Sequence, residues 1–525
     1  MGKGLHWIDY SIIFITVLSY ISIGAFFARK HKNSDNYFSG SKNFPSWVIG
    51  ISIFATLISS VTFLAYPSAS YTSNWILLVQ GLMVPVVLVG MIWVIVPLFR
   101  KVIRLSTYEY FEARFGVFAR MYSSIAFTFT HFTKMGTVLY LLALAMNAVA
   151  GVDTYVTIIV FGCIIVTLTL VGGIDAVIWM DVVQGFLLIG GGLLCLGILL
   201  FSPHGGPQFV FSKAIEWNKI GFGPYNMDFT KLTFIVMVCN GMFYAVQKYA
   251  TDQTIVQRYL TAKNDKGAKK AAYIGVALSV PVWAMFMCIG TALYVFYHTT
   301  ATLPADIKAD SVFPFFIKNQ LPVGVVGLVL AALLSAATAS LSADMNSLSA
   351  VAVQDYYKRL YPSSTDKQKL RMGRIIVVIA GLGCIGIASL YAAWEGQGVL
   401  GVIFELYAIF SAGIVGVFLL GLFSTKANRQ GLNVGLVVCI LFTAYAVLTT
   451  TKIGAGDNKH LIMDWGKYNF PHHKYMLGVY SHIIVFVVGY VASFFFKNSA
   501  PLNKDLTIYG YFNKLKNKTE VLCEV

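Results

Sequence analysis

Long apolar runs recur from one end of the chain to the other, each close to the length a helix needs to cross the hydrocarbon core of a bilayer. They predict spans near residues 9–29, 46–70, 75–100, 118–150, 153–172, 176–202, 230–259, 271–297, 322–356, 373–395, 398–423, 433–451 and 474–497. That is about thirteen helices. The first run is too long for a cleaved leader, and Arg29-Lys30-His31-Lys32 stands where small residues would be needed for cleavage. Two segments fit a straight helix poorly. Residues 46–71 mix Ser and Thr with β-branched residues and contain Pro67; residues 236–259 contain Gly241 and several polar groups. They begin the first and sixth of ten successive spans, between 46 and 451, that follow an extra leading one. Interrupted helices at matching positions of two halves point to an inverted-repeat transporter with a midplane site. Carbonyls freed at such breaks can coordinate a cation where they line a cavity. The expected architecture is an all-α polytopic membrane protein. It has one transmembrane domain, 1–497, with repeats at about 46–202 and 230–451, and a tail at 498–525.

One apolar run is unusually polar. Residues 331–351 carry Ser335, Thr338, Ser340, Ser342, Ser347 and Ser349, with a carboxylate at Asp344. Small hydroxyl residues at three- and four-residue spacing let helices approach closely and offer oxygen ligands to a hard cation such as sodium. Other ionisable groups within spans are His131, Lys134, Asp181, Lys248 and Glu405. Such groups are costly in a bilayer and tend to face a cavity. Lys134 lies midway along its helix, where snorkelling is hard, and is expected to face the solute path. Asp181 is near a span end, so interfacial placement is an alternative. Lys248 suits a salt bridge or a solute contact equally, His131 a hydrogen-bonded packing role, and Glu405 a structural partnership. Phe243, Tyr244 and Tyr249 are candidates for gating or stacking, or for plain packing.

Charge refines the topology. The chain is 57% hydrophobic and 12% charged, with mean hydropathy +0.71 and net charge +16. Lys and Arg concentrate in alternate loops, at 29–32, 99–104, 263–270, 357–374 and 424–430, and in the tail. This bias places the N-terminus outside and the C-terminus in the cytoplasm of a cell-membrane protein, and explains the charge without nucleic acid. No obligate protein partner is evident. The seven cysteines lack metal-ligand spacing. There is no GxSxG, HExxH or phosphate loop, which excludes the common hydrolase constellations and direct ATP coupling; no enzyme activity is expected.

The motifs together resemble the sodium/solute symporter family from about residue 8 to 450. The segments that carry the likeness are DYSIIF, YFSGSKNFPSWVIGISIFATLISSVTFLAYPSASY, STYEYFEARFG, GGIDAVIWMDVVQ, TDQTIVQRYLTAK, the Ser/Thr helix and VFLLGLF. The resemblance implies a LeuT-type fold of five-plus-five inverted repeats with extra leading and trailing helices. It also implies solute import driven by sodium. It places the principal sodium ion on the Ala55, Ile58 and Ala336 carbonyls and the Ser340 hydroxyl, with Asp181 below; a hydroxyl usual before Ser340 is Ala339 here. A second ion in some members implicates Asp181 and Ser342, with Ala343 replacing a serine and Asp344 a conceivable substitute. Thr62, Ala245 and Phe404 stand at sugar-contacting positions of glucose- and galactose-type members, and Phe404 lacks the expected hydrogen-bonding group. Ser59, Thr62, Gln80 and Lys134 are similar to the pattern of sialic acid symporters, with Lys134 in place of an Arg. The expected solute is a small carboxylate such as an acidic sugar; a neutral sugar (glucose, galactose or inositol) is the alternative, and a non-transporting sensor on the same fold a remoter one.

Overall fold

The computed structural model describes residues 5–28, 34–103, 105–305, 307–393, 412–453, 460–496 and 504–513. Apart from a two-residue ribbon pairing Lys452–Ile453 with His460–Leu461, its regular structure is helical. The helices that matter here are α1 (Trp7–Ala28), α2 (Ser46–Leu57), α3 (Ser60–Thr72), α4 (Leu78–Val102), α5 (Val117–Ala150), α6 (Thr154–Phe201) and α7 (Phe234–Val246). They are followed by α8 (Gln253–Leu260), α9 (Asp265–Thr299), α10 (Val325–Val351), α11 (Asp366–Ala393), α12 (Ile414–Phe423), α13 (Arg429–Leu448) and α14 (Lys474–Ala492). Among the described residues nine helices are long and apolar enough to cross a membrane, and α2 with α3 makes a tenth, bent by 55°. Of the thirteen expected spans, that at 398–423 begins outside the described residues, and with it Phe404 and Glu405.

Local chemistry explains the breaks. The first falls at Ile58 and Ser59, which are both extended, rather than at Pro67. The Ser59 hydroxyl accepts from the Val61 amide and so caps α3, the role for which a short hydroxyl side chain is favoured. Pro67 sits inside α3. The second interruption is a π-turn, Gln247–Thr251, followed by extended Asp252, whose carboxylate caps α8 through the Thr254 amide at 2.9 Å. Gly241 does not break its helix. A Cβ there would lie 2.9 Å from the Gln80 Cα, so this glycine lets α7 lie directly on α4.

The two spans expected at 153–172 and 176–202 correspond to the two helical halves of α6, which meet at a kink at Gly173, where φ is +57° and ψ −172°. Only glycine adopts that conformation readily.

Helix α10 is walled by protein on every side, with each residue from Val329 to Val351 buried. The leading helix holds it at two points. The Asp9 carboxylate accepts from the Gly324 and Gly327 amides, both at 2.8 Å, capping its N-terminus, and the Tyr20 hydroxyl bonds Ser335. The described part of the tail is docked as well: Tyr110 donates to the Leu506 carbonyl, and Tyr511 to that of Trp93.

A Cβ at Gly173 would also stand 2.9 Å from the Tyr37 ring. Gly173→Ala is therefore expected to destabilise the protein by about 1–3 kcal/mol, seen as a lower thermal midpoint in detergent.

Candidate cation and solute sites

The cation region forms where α2, α6 and α10 pack together. Ending α2 at Leu57 leaves the carbonyls of its last turn, Ala55 among them, without the amides that would continue the helix, and Ile58 lies in the break itself. Across from them, the hydroxyls of α10 divide into two sets. Ser335 bonds Tyr20, Ser347 bonds Gln257, and Ser349 bonds the Gly373 carbonyl. Ser340 and Ser342 are buried and, among the described residues, their hydroxyl oxygens have no hydrogen-bond partner. Buried hydroxyls left so are costly unless something else satisfies them. They and the Ala336 carbonyl are oxygen donors of the kind a hard cation takes.

Asp181 completes the region. It is fully buried, so its expected alternative of interfacial placement is overturned. Its Oδ2 accepts from the Ser52 hydroxyl at 2.5 Å and from Arg258 at 2.9 Å, while Oδ1 has no hydrogen-bond partner among the described residues. Gly191 of α6 touches Ala332 of α10. With α7–α8 and α9 crossing between them, α10 runs opposite to this half of α6. Ten residues along each helix, at about 1.5 Å per residue, then bring Asp181 level with Ser342. Nothing in the sequence singles out Arg258, which stands at the end of its segment, where an interfacial cation is ordinary. In the fold it is wholly buried, and also bonds Ser52 and the Thr254 carbonyl.

Beside this region lies a cavity of about 160 Å³. Ser59, Thr62, Gln80, Lys134, Phe243 and Tyr244, drawn from the break, α3, α4, α5 and α7, all line it. Tyr249 does not; it is packed in the core, its carbonyl accepting from Tyr259. Ala245 is buried and is not on the wall. Contributions that the sequence did not signal come from Asn240, Gln247 and Trp283, and from the trailing helix α14 through Lys474, Tyr475 and His482. The Phe243 and His482 rings lie 5.3 Å apart, joining α7 to α14. No periodicity reveals such a wall, because it depends on which helices neighbour one another.

Two of the lysines on that wall, Lys134 and Lys248, are held from behind. Lys134 donates to Asp344 Oδ1 at 3.0 Å, with His131 Nδ1 2.9 Å from the same oxygen. Lys248 donates to Asp252 at 2.6 Å. Asp344 thus bonds to α5 through Oδ1, while its Oδ2 has no hydrogen-bond partner among the described residues.

The sequence model of the sodium:solute symporter family matches residues 37–439. The chain belongs to the sodium:solute symporter family. It is 32% identical over 501 residues to the sodium/sialic acid symporter NanT of Aliivibrio fischeri, with 95% of each chain covered. It is also 32% identical to the sodium/sialic acid symporter SiaT of Proteus mirabilis, covering 83% of this chain and 88% of that one. A solved structure of a substrate-bound, outward-open Na+-coupled sialic acid symporter superposes with a TM-score of 0.85 at 29% identity, covering 94% of this chain and 99% of the other. The fold is the LeuT type expected of the family, and sodium is the coupling ion of this membrane-embedded solute symporter. Its relatives are transporters, not enzymes.

Removing one partner of a buried ion pair strands the other charge. Arg258→Met or Asp181→Leu alone should each cost about 3–5 kcal/mol, while the double substitution should cost clearly less than their sum, by thermal denaturation of the purified variants.

Proposed function

We propose that this symporter imports a small carboxylated sugar of the sialic acid kind with sodium, by alternating access. One observation carries the choice of an anion: Lys134, Lys248 and Lys474 line the cavity, the first two held from behind by Asp344 and Asp252, and among the described residues no carboxylate lines it. A cleft lined by one sign of charge, with low-dielectric walls, concentrates solutes of the other. The names of the relatives point the same way. Gln80, Asn240, Gln247 and the hydroxyls of Ser59 and Thr62 supply the neutral donors and acceptors that sugar hydroxyls need, and Phe243 and Tyr244 offer apolar faces.

In this reading sodium sits on the Ala55, Ile58 and Ala336 carbonyls and the Ser340 hydroxyl, and the unpartnered atoms of Asp181 and Ser342 offer a place for a second ion. The ion fastens the broken pair α2–α3 against α10, which shapes the Ser59 and Thr62 side of the cavity. Rocking of the half at 46–202 against the half at 230–451 then exposes both sites to the cytoplasm. There low sodium releases the ion, and the solute follows. The basic loops and the tail face the cytoplasm and the N-terminus faces outward, at the cell membrane, with no obligate protein partner.

Uptake into proteoliposomes decides between outcomes. Labelled sialic acid should accumulate only with an inward sodium gradient; accumulation indifferent to sodium would sink the proposal. Uptake competed by glucose or inositol and not by sialic acid would instead favour a neutral sugar. Losing a charge-assisted hydrogen bond is worth about 1.5–3 kcal/mol, so Lys134→Ala should weaken sialic acid uptake roughly 10- to 100-fold. Ser340→Ala should chiefly raise the sodium concentration needed for half-maximal uptake.

A further inference from the structure

We infer that Asp344 is the positioning residue that makes solute binding depend on sodium, by holding Lys134 until a cation arrives. The inference rests on the anionic-solute reading above. Asp344 is fully buried on α10. Its Oδ1 bonds Lys134 and lies beside His131, and its Oδ2 is buried with no hydrogen-bond partner among the described residues. Lys134 stands on the boundary: it lines the solute cavity with about a fifth of its side chain exposed, while its ammonium is bonded to a carboxylate on the helix that carries Ser340 and Ser342. Few residues could report more directly from one site to the other.

The spacing supplies the link. Asp344 follows Ser340 by four residues, so the two side chains stack one turn apart on the same face of α10, with a rise of about 6 Å. A cation on the Ser340 hydroxyl therefore shares the field of the Asp344 carboxylate with the Lys134 ammonium. Through a dry interior such charges interact strongly.

The charge balance then dictates cooperativity. With both sites empty, Lys134 and Asp344 neutralise each other. Sodium alone adds an uncompensated positive charge, and an anionic solute alone an uncompensated negative one. Together they balance: sodium takes up the charge of Asp344, and Lys134 turns to the solute carboxylate. Each ligand thus raises affinity for the other, by the same factor in both directions as linkage requires. His131 stiffens the arrangement, with its Nε2 3.6 Å from Asp252, the carboxylate that holds Lys248. The coupling acts only on a solute that carries negative charge.

The test uses the full-length protein in nanodiscs, with sialic acid and sodium as probes and potassium as the substitute ion. Wild-type affinity for sialic acid should rise with saturating sodium by about 5- to 150-fold, and that ratio should fall to within about twofold in Asp344→Asn. The variant should also bind sialic acid more tightly than wild type in the absence of sodium, because Lys134 has been released. A purely structural role would weaken binding with and without sodium and leave the ratio intact, which would overturn the inference. Asp344→Glu, which keeps the charge, should restore much of the ratio. A second arm needs no solute: in sodium-dependent thermal shifts, Lys134→Ala should tighten sodium binding by freeing Asp344. Unchanged or weaker sodium binding in Lys134→Ala overturns the inference even if Asp344→Asn fails to fold. If wild type binds sodium but not sialic acid, the solute assignment falls, and the sodium arm still decides the role of Asp344.

Discussion

Every polar group within a bilayer must be satisfied by the protein itself, and α10 carries eight polar side chains, all of them buried. Its hydroxyls and carboxylate could not face lipid, so the helix has to be surrounded. The packing of α1, α2, α5, α6 and α11 around it follows from that demand. Asp9 caps its start, Tyr20 satisfies Ser335, Gln257 takes Ser347, and Gly373 accepts from Ser349. Among the described residues, what remains unpartnered on this helix (the Ser340 and Ser342 hydroxyls, one oxygen of Asp344 and the Asn346 Nδ2) is a short stretch near the level of Asp181.

Breaks in two helices turn that enclosure into a site. The Ser59 cap and the Asp252 cap each end one helix and begin another, and each residue stands close to a feature of the cavity wall. Ser59 lines it directly, and Asp252 steadies Lys248, which does. The polar groups that stop a helix are thus the same groups that furnish the pocket. Rigid support comes from Arg258, whose guanidinium ties Asp181 to Ser52 and so locks α6 to α2 beneath the cation region.

Much of this was legible in the order of the residues. Apolar run length located most of the membrane helices among the described residues, and the hydroxyl count of 331–351 marked the helix that had to be buried. The resemblance to a family picked out Ser59, Thr62, Gln80 and Lys134, which the fold brings to one cavity. Legibility failed where a role depends on a partner distant in the chain. Asp181 could be read as interfacial because nothing nearby in sequence announces Arg258, which lies 77 residues away. Asp344 looked like a spare cation ligand because its bond to Lys134 spans 210 residues.

The sequence by itself determined the membrane class, which two segments are interrupted and the sodium-symporter family, because these are written in local composition and contiguous motifs. Tertiary structure alone decided which hydroxyls are spoken for and which are not. It also decided that α14 lines the cavity, and that Lys134 and Lys248 are engaged by buried carboxylates. Those outcomes follow from helix-to-helix neighbourhood, and in a dry interior a charge is defined by its partner rather than by its place in the chain.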